Sequence, residues 1–235
     1  MMILGPDLWG LIAVYFLIGA ALVIYALSEQ RADNATRRKI LHVAIGNFVL
    51  IWWLFQSAWV MLLSFVLPFL VILFLCHPCC GREPFRRTMI GEASREGHSS
   101  GLLFYVVSVG VMVLLSGDHI MAASMGILAL AYGDGFGSLI GRKLGSRPLR
   151  GGKTVEGSLA VFAATAISGA LMLLFYGFLM DSGHYVGTAV GMPLLLIAPL
   201  VAGIVASLAE LLSPGEYDNL SIPLTVALTM MLLGL

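Results

Sequence analysis

What most limits the fold of this chain is a succession of apolar runs, each about as long as a membrane-spanning helix, separated by polar loops. They fall at about 8–27, 40–56, 58–76, 101–117, 120–141, 157–180, 188–210 and 221–235, against the roughly 20 residues that a spanning helix needs. Hydrocarbon offers no water to backbone N–H and C=O groups, so runs of this length become helices. The reading is an all-α, polytopic membrane protein of about eight transmembrane helices. The range is seven to nine, because the second and last runs are short. Composition agrees: 59% of the residues are hydrophobic and 11% charged, where soluble chains carry about 25% charged residues. No linker, soluble domain or repeat divides the chain, and 1–235 reads as a single integral-membrane domain.

Charge placement orients it. The formal net charge is zero, which gives no reason to expect nucleic acid as a partner. Arg31, Arg37, Arg38 and Lys39 lie between the first and second runs, and Arg82, Arg86, Arg87 and Arg95 between the third and fourth. Arg142, Lys143, Arg147, Arg150 and Lys153 lie between the fifth and sixth, which accounts for all 13 Lys and Arg. The alternate loops, near Gln56, Asp118 and 181–184, have none. The positive-inside rule therefore predicts cytoplasmic basic loops and an N-terminus outside. The first run carries Asp7 and no preceding Lys or Arg, unlike a secretory signal, and reads as a membrane helix.

Four constellations fall at that predicted cytoplasmic face. The first is Leu130–Gly157, LAYGDGFGSLIGRKLGSRPLRGGKTVEG. Asp134 lies inside an apolar run, where a carboxylate needs a partner, a metal or water. Gly133, Gly137 and Gly141 repeat at four-residue spacing, which fits either a close-packed helix face or a helix broken to bring backbone to a ligand. The following loop ends in Gly152, Lys153 and Thr154, but Arg147 stands where a phosphate-binding P-loop needs glycine and no strand precedes it. Its glycines, its basic residues and a helix start near Thr154–Glu156 suit phosphate binding; they equally suit anionic lipid head groups.

The second constellation, TRRKILHVAIGN, sets Arg38, Lys39 and His42 near one helix face. His42 there is either a structural histidine or one that takes a proton from a hydroxyl or meets phosphate. The third is Glu92, Glu96, His98 and Ser99 before an aromatic run at 103–105. The fourth, ASLAELLSPGEYDNLSIPL, brings Ser207, Glu210, Glu216, Asp218 and Asn219: a solvated turn, or hard oxygen ligands for Mg²⁺. Cys76, His77, Cys79 and Cys80 are crowded into CHPCC; they fit reduced cysteines capping a helix better than separated zinc-ligand pairs. A water-soluble phosphate donor and a bilayer acceptor would meet at this face.

RRKILHVAIG, EASREGHSSGLLFY, GD-x₂-G-x₃-G-x₃-G with KT-x-EGS, and E-x₇-DN-x₃-P, in this order from about Arg37 to Pro223, resemble the dolichol, polyprenol and phytol kinase family. These are integral-membrane, typically CTP-dependent lipid kinases, with a CTP-dependent diacylglycerol kinase branch. The resemblance implies transfer of a nucleotide γ-phosphoryl group, with Mg²⁺, to the hydroxyl of an isoprenoid alcohol or related lipid. By position, Asp134 and Asp218 would be catalytic acids or Mg²⁺ ligands, with Glu210 and Asn219 completing the metal site. Arg38, Lys39, Gly137, Gly141, Arg142, Gly152, Lys153, Thr154 and Glu156 would face nucleotide phosphates, and His42 the acceptor. Phosphoryl transfer depends mostly on positioning and charge neutralisation, which these residues can supply. A chain this short resembles the compact phytol and diacylglycerol kinase members, and in a prokaryote it would sit in the cell membrane.

Two other activities fit parts of the pattern. A CTP-dependent phosphatidate or archaeal-lipid cytidylyltransferase shares the GD-like and KT-x-EG segments. It should show a Lys- and Asp-rich C-terminal signature, whereas 207–235 has no Lys or Arg. A transporter would build an ion site from an intramembrane acid and broken-helix glycines; here the polar clusters gather at one face.

Overall fold

The computed structural model describes residues 5–76 and 99–235, and among these the secondary structure is helical, with a single β-bridge between Pro148 and Thr154. The helices are α1 (Pro6–Leu27), α2 (Asn34–Gly46), α3 (Ala58–Cys76), α4 (Ser99–Leu128), α5 (Gly135–Leu144), α6 (Val155–Asp181), α7 (Met192–Leu212) and α8 (Asp218–Leu232). Among the described residues five stretches are long and apolar enough to cross a membrane by length and composition: Asp7–Leu27, Ala58–Cys76, Ser100–Leu144, Val155–Asp181 and Met192–Leu212.

The 45-residue stretch is not one rod. His119 has non-helical backbone angles, and a Cβ on Gly126 would lie 3.2 Å from Met112 Sδ. In a straight helix those residues stand about 21 Å apart. The chain reverses at His119, beside Asp118 where the sequence predicts a loop, and both limbs pack along α8. Ser108 Oγ donates to the Asn219 carbonyl at 2.5 Å, and Gly126 leaves room for the Pro223 carbonyl.

The second and last predicted spans fall short of that criterion. α2 runs for 13 residues and gives way to 3₁₀ turns at Asn47–Leu50 and Trp52–Leu54. Asn47 Nδ2 donates to the carbonyls of Val43 and Ala44, the local side-chain competition that ends helices. Trp52 then points into the core, its indole donating to Tyr176 Oη at 2.9 Å. α8 has 15 residues.

Between α4 and α5 the helix widens into a π turn, Ala129–Asp134. Such turns add a residue without breaking the helix, so the chain near Asp134 is continuous. The glycines make the close-packed face: a Cβ on Gly133 would overlap Thr165, and one on Gly137 would overlap Val161. α5 and α6 touch along this seam, which fixes where the loop between them must stand.

Candidate functional site

A polar cavity of about 400 Å³ lies where α2, α5, the loop before α6, the end of α7 and the start of α8 converge. Ligand pockets typically span about 300–1,000 Å³. Helical period selects its walls. Ala35, Arg38, Lys39 and His42 present one face of α2, and Asp134, Gly137, Ser138, Gly141 and Arg142 one face of the π turn and α5. Gly152, Lys153 and Thr154 come from the loop, and Glu210, Asp218 and Asn219 from α7 and α8.

Four cationic side chains (Arg38, Lys39, Arg142, Lys153) and four carboxylates (Asp134, Glu210, Glu216, Asp218) line it. Lys39 pairs with buried Asp134. Lys153 Nζ lies 2.5 Å from Glu210 Oε1 and 3.5 Å from Asp218 Oδ2. Burial alone would lower the Lys153 pKa; its hydrogen bond to Glu210, together with the charges of Glu210, Asp218 and Asp134, outweighs that and raises it. Lys153 therefore stays charged at physiological pH.

The loop that delivers Lys153 is shaped by its own sequence. Gly151 and Gly152 have φ of 69° and 77°, left-handed values that cost residues with a Cβ about 1–2 kcal/mol. Leu149 N donates to the Lys153 carbonyl at 2.7 Å and Val155 N to the Arg147 carbonyl at 3.0 Å. Thr154 caps α6, its Oγ1 accepting from Gly157 N at 3.1 Å. Glu156 does not line the cavity. Its carboxylate accepts from Ser146 N, Ser146 Oγ and Arg147 N, so it holds the loop in place.

Near the rim, Arg142 donates to Thr36 Oγ1 at 3.4 Å. Thr36 also donates to Asp33, and that bond holds the Asp33 carboxyl below its usual pKa.

Magnesium can be tested against the donors present. Among the described residues no three His, Cys, Asp or Glu side chains stand together as a protein-only metal site, so the predicted set of Asp134, Glu210, Asp218 and Asn219 is not preassembled. Mg²⁺ commonly takes one or two carboxylates and completes its shell with water and phosphate. Glu210 Oε2 and Asn219 Oδ1 are buried with no hydrogen-bond partner among the described residues. The Asn219 amide donates to Asp218 Oδ1 at 3.3 Å and the Glu216 carbonyl at 3.2 Å, which leaves its oxygen free. Hard oxygens without donors suit that cation.

His42 stands at the inner end of the cavity, buried, with neither ring nitrogen hydrogen-bonded among the described residues. Its ring lies 4.4 Å from that of Tyr105, whose hydroxyl donates to the His42 carbonyl at 3.0 Å. Sequence reasoning noted the aromatic run but gave Tyr105 no role, and it missed Ser138, Gly101 and Leu102, which also line the cavity. All of these lie inside the sequence motifs, but none is a charged or titrating side chain of the cavity that would have marked it out. Ser207 bonds the Ser158 carbonyl, tying α7 to α6. Glu92, Glu96, His98, His77, Cys79 and Cys80, and the Ser99 side chain, lie outside the described residues; Cys76 is buried.

Comparison with known proteins gives this sequence relatives. The chain is similar to a phytol kinase of Synechocystis sp., 29% identical over 94% of this chain and 91% of the relative. It is also similar to a chloroplastic farnesol kinase of Arabidopsis thaliana, 30% identical over 86% of this chain and 66% of the relative. No family model matches the chain. No solved structure matches it.

A helical membrane protein with these relatives is an enzyme of the lipid kinase class. Phytol and farnesol kinases at about 29–30% identity over most of the chain support a place in the polyprenol/phytol kinase family.

Proposed function

We propose that the chain transfers the γ-phosphoryl group of CTP to the hydroxyl of an isoprenoid alcohol of phytol or farnesol type. The observation that carries this reading is the cavity itself. One chamber gathers Arg38, Lys39 and His42 with Asp134, Arg142, Lys153, Glu210, Asp218 and Asn219, from segments up to 181 residues apart in sequence. In this reading the chain crosses the membrane eight times with its N-terminus outside, and the cavity faces the cytoplasm, where the nucleotide is. The basic loops support that orientation.

Lys153, Lys39, Arg38 and Arg142 hold the donor phosphates, while Gly151 and Gly152 let the loop approach them. Asp134, Glu210, Asp218 and Asn219 would hold Mg²⁺, which supplies charge neutralisation on the phosphates when bound. The alcohol oxygen bonds to the γ-phosphorus as the bond from phosphorus to the β,γ-bridging oxygen breaks. The hydroxyl proton passes to the buried imidazole of His42. The products are a lipid monophosphate and CDP.

The test is to incubate purified protein with Mg²⁺, farnesol or phytol, and each nucleoside triphosphate in turn, labelled at the γ-phosphate. Label should enter the lipid, and most efficiently from CTP. Lipid labelled only from α-labelled CTP would mean cytidylyl transfer instead, and a faster reaction with ATP would displace CTP as donor.

A further inference from the structure

An apolar slot lies between α1, α2, α3 and the first limb of α4. Ile18, Leu22, Ile45, Phe65, Phe69 and Val106 supply most of its wall. At one end His42 and Leu102 line both this slot and the polar cavity, so the two spaces meet there. The imidazole at that junction is buried and unpartnered among the described residues, and its backbone is anchored by Tyr105.

We propose that this slot binds the hydrocarbon tail of the acceptor, so that the hydroxyl emerges at His42. The inference rests on the isoprenoid kinase reading and adds to it the place where the acceptor lies.

A second apolar groove competes for that role and is larger, at about 490 Å³. It runs between α5 and α6, with Phe136, Ile140, Ala163 and Ile167 in its wall, and shares no lining residue with the polar cavity. α5 stands between the two. Its Ser138 and Gly141, with Asp134 just before it, face the cavity, while Phe136 and Ile140 face the groove. A tail in the groove would leave its hydroxyl on the wrong side of that helix, so connection decides the choice, not volume.

The slot encloses about 50 Å³, the share of one or two water molecules, and admitting a tail must part its walls. The seam between α1 and α3 is the place for that. α1 packs on α2 and the turns after it, without comparable backbone packing on α3. Across the seam the Tyr15 hydroxyl donates to the Ser64 carbonyl. On the α3 side, the π turn Leu62–Val66 brings Phe65 and Val66 into the slot. A lipid entering here passes from bilayer to slot without crossing water.

The experiment uses a farnesol analogue carrying a diazirine at the end of its tail, irradiated with the full-length protein in proteoliposomes. Adducts should appear in the α1 and α3 peptides that hold Ile18 and Phe65, and unlabelled farnesol should displace them. Adducts in the α5–α6 groove, or none that farnesol displaces, overturn the slot. Kinetics provide a second readout. Val106→Phe should raise the KM for farnesol about tenfold with the donor KM unchanged, and Ala163→Phe in the rival groove should move neither. If Val106→Phe does not fold, Val106→Ala should favour phytol over farnesol relative to the parent, and an unchanged preference counts against the slot. Labelling reads binding without transfer. Slot labelling in a protein that phosphorylates no alcohol would sink the kinase reading alone, whereas transfer with labelling elsewhere would sink the slot alone.

Discussion

Lys39 of α2 and Asp134 at the end of the π turn, 95 residues apart in sequence, form an ion pair inside the polar cavity. Both side chains are largely buried, so removing one partner leaves an uncompensated charge. Lys39→Met should therefore cost about 3–5 kcal/mol of stability, read as a lower Tm in detergent. The double variant with Asp134→Asn should regain much of that loss. Asp134→Asn alone should lower kcat roughly 100-fold or more; full activity in a correctly inserted protein would remove Asp134 from the chemistry.

The α5–α6 seam is a packing device that can be separated from chemistry. Gly137 meets Val161 so closely that a Cβ overlaps it, and the Gly157 carbonyl lies 3.2 Å from the same point. Gly137→Ala should destabilise by about 1–3 kcal/mol. Adding Val161→Ala should recover part of the loss, since contacting sites couple. Thermal unfolding of the two singles and the double measures this. Equal loss in Gly137→Ala and the double would place the strain at the Gly157 carbonyl instead.

The sequence made the apolar runs, the small-residue spacing and the start of α6 at Thr154 legible because each is a local signal: length, period and cap. It also pointed to most of the cavity wall, since Arg38, His42, Asp134, Lys153, Glu210 and Asp218 carry charge or titrate in otherwise apolar surroundings. It could not show which cation meets which carboxylate. Lys39 pairs with Asp134 while Lys153 meets Glu210 and Asp218, and that depends on how α2 packs against the π turn. Glu156 looked like a phosphate-site residue because it sits in KTVEG; its three bonds to Ser146 and Arg147 arise only once the loop folds back. The apolar slot had no signature at all, for Ile18, Phe65 and Val106 resemble every other apolar residue in their helices. The turn to 3₁₀ geometry after Gly46 was equally hidden, because Asn47 ends α2 within a run whose hydropathy continues.

Glu156 and Lys153 should separate kinetically. Lys153 reaches the cavity, so Lys153→Met should lower kcat about 100-fold as a lost charge on the transferring phosphate. Glu156 only holds the loop, so Glu156→Ala should raise the donor KM about three- to tenfold with a smaller change in kcat. Ser146→Ala removes one of the three hydrogen bonds to Glu156 and should follow Glu156→Ala in kind with a smaller effect. Steady-state kinetics with varied nucleotide at saturating alcohol checks this, and a kcat collapse in Glu156→Ala would mean that its carboxylate meets the donor directly.

On the proposed Mg²⁺ chemistry, Glu210 is the informative ligand because its two oxygens differ. Oε1 holds Lys153 at 2.5 Å, while Oε2 is buried without a partner among the described residues. Glu210→Gln keeps an acceptor for Lys153 but removes the negative charge available to a cation. Its activity should need about 10–100-fold more Mg²⁺ and should recover towards the parent rate at high concentration, while chelation abolishes activity in both proteins. Asn219→Leu removes the other oxygen proposed to meet the cation and should shift the requirement in the same direction. The measurement is initial rate against free Mg²⁺ at fixed nucleotide. A Glu210→Gln curve that matches the parent in midpoint but not in maximum would reassign Glu210 from holding a cation to positioning Lys153.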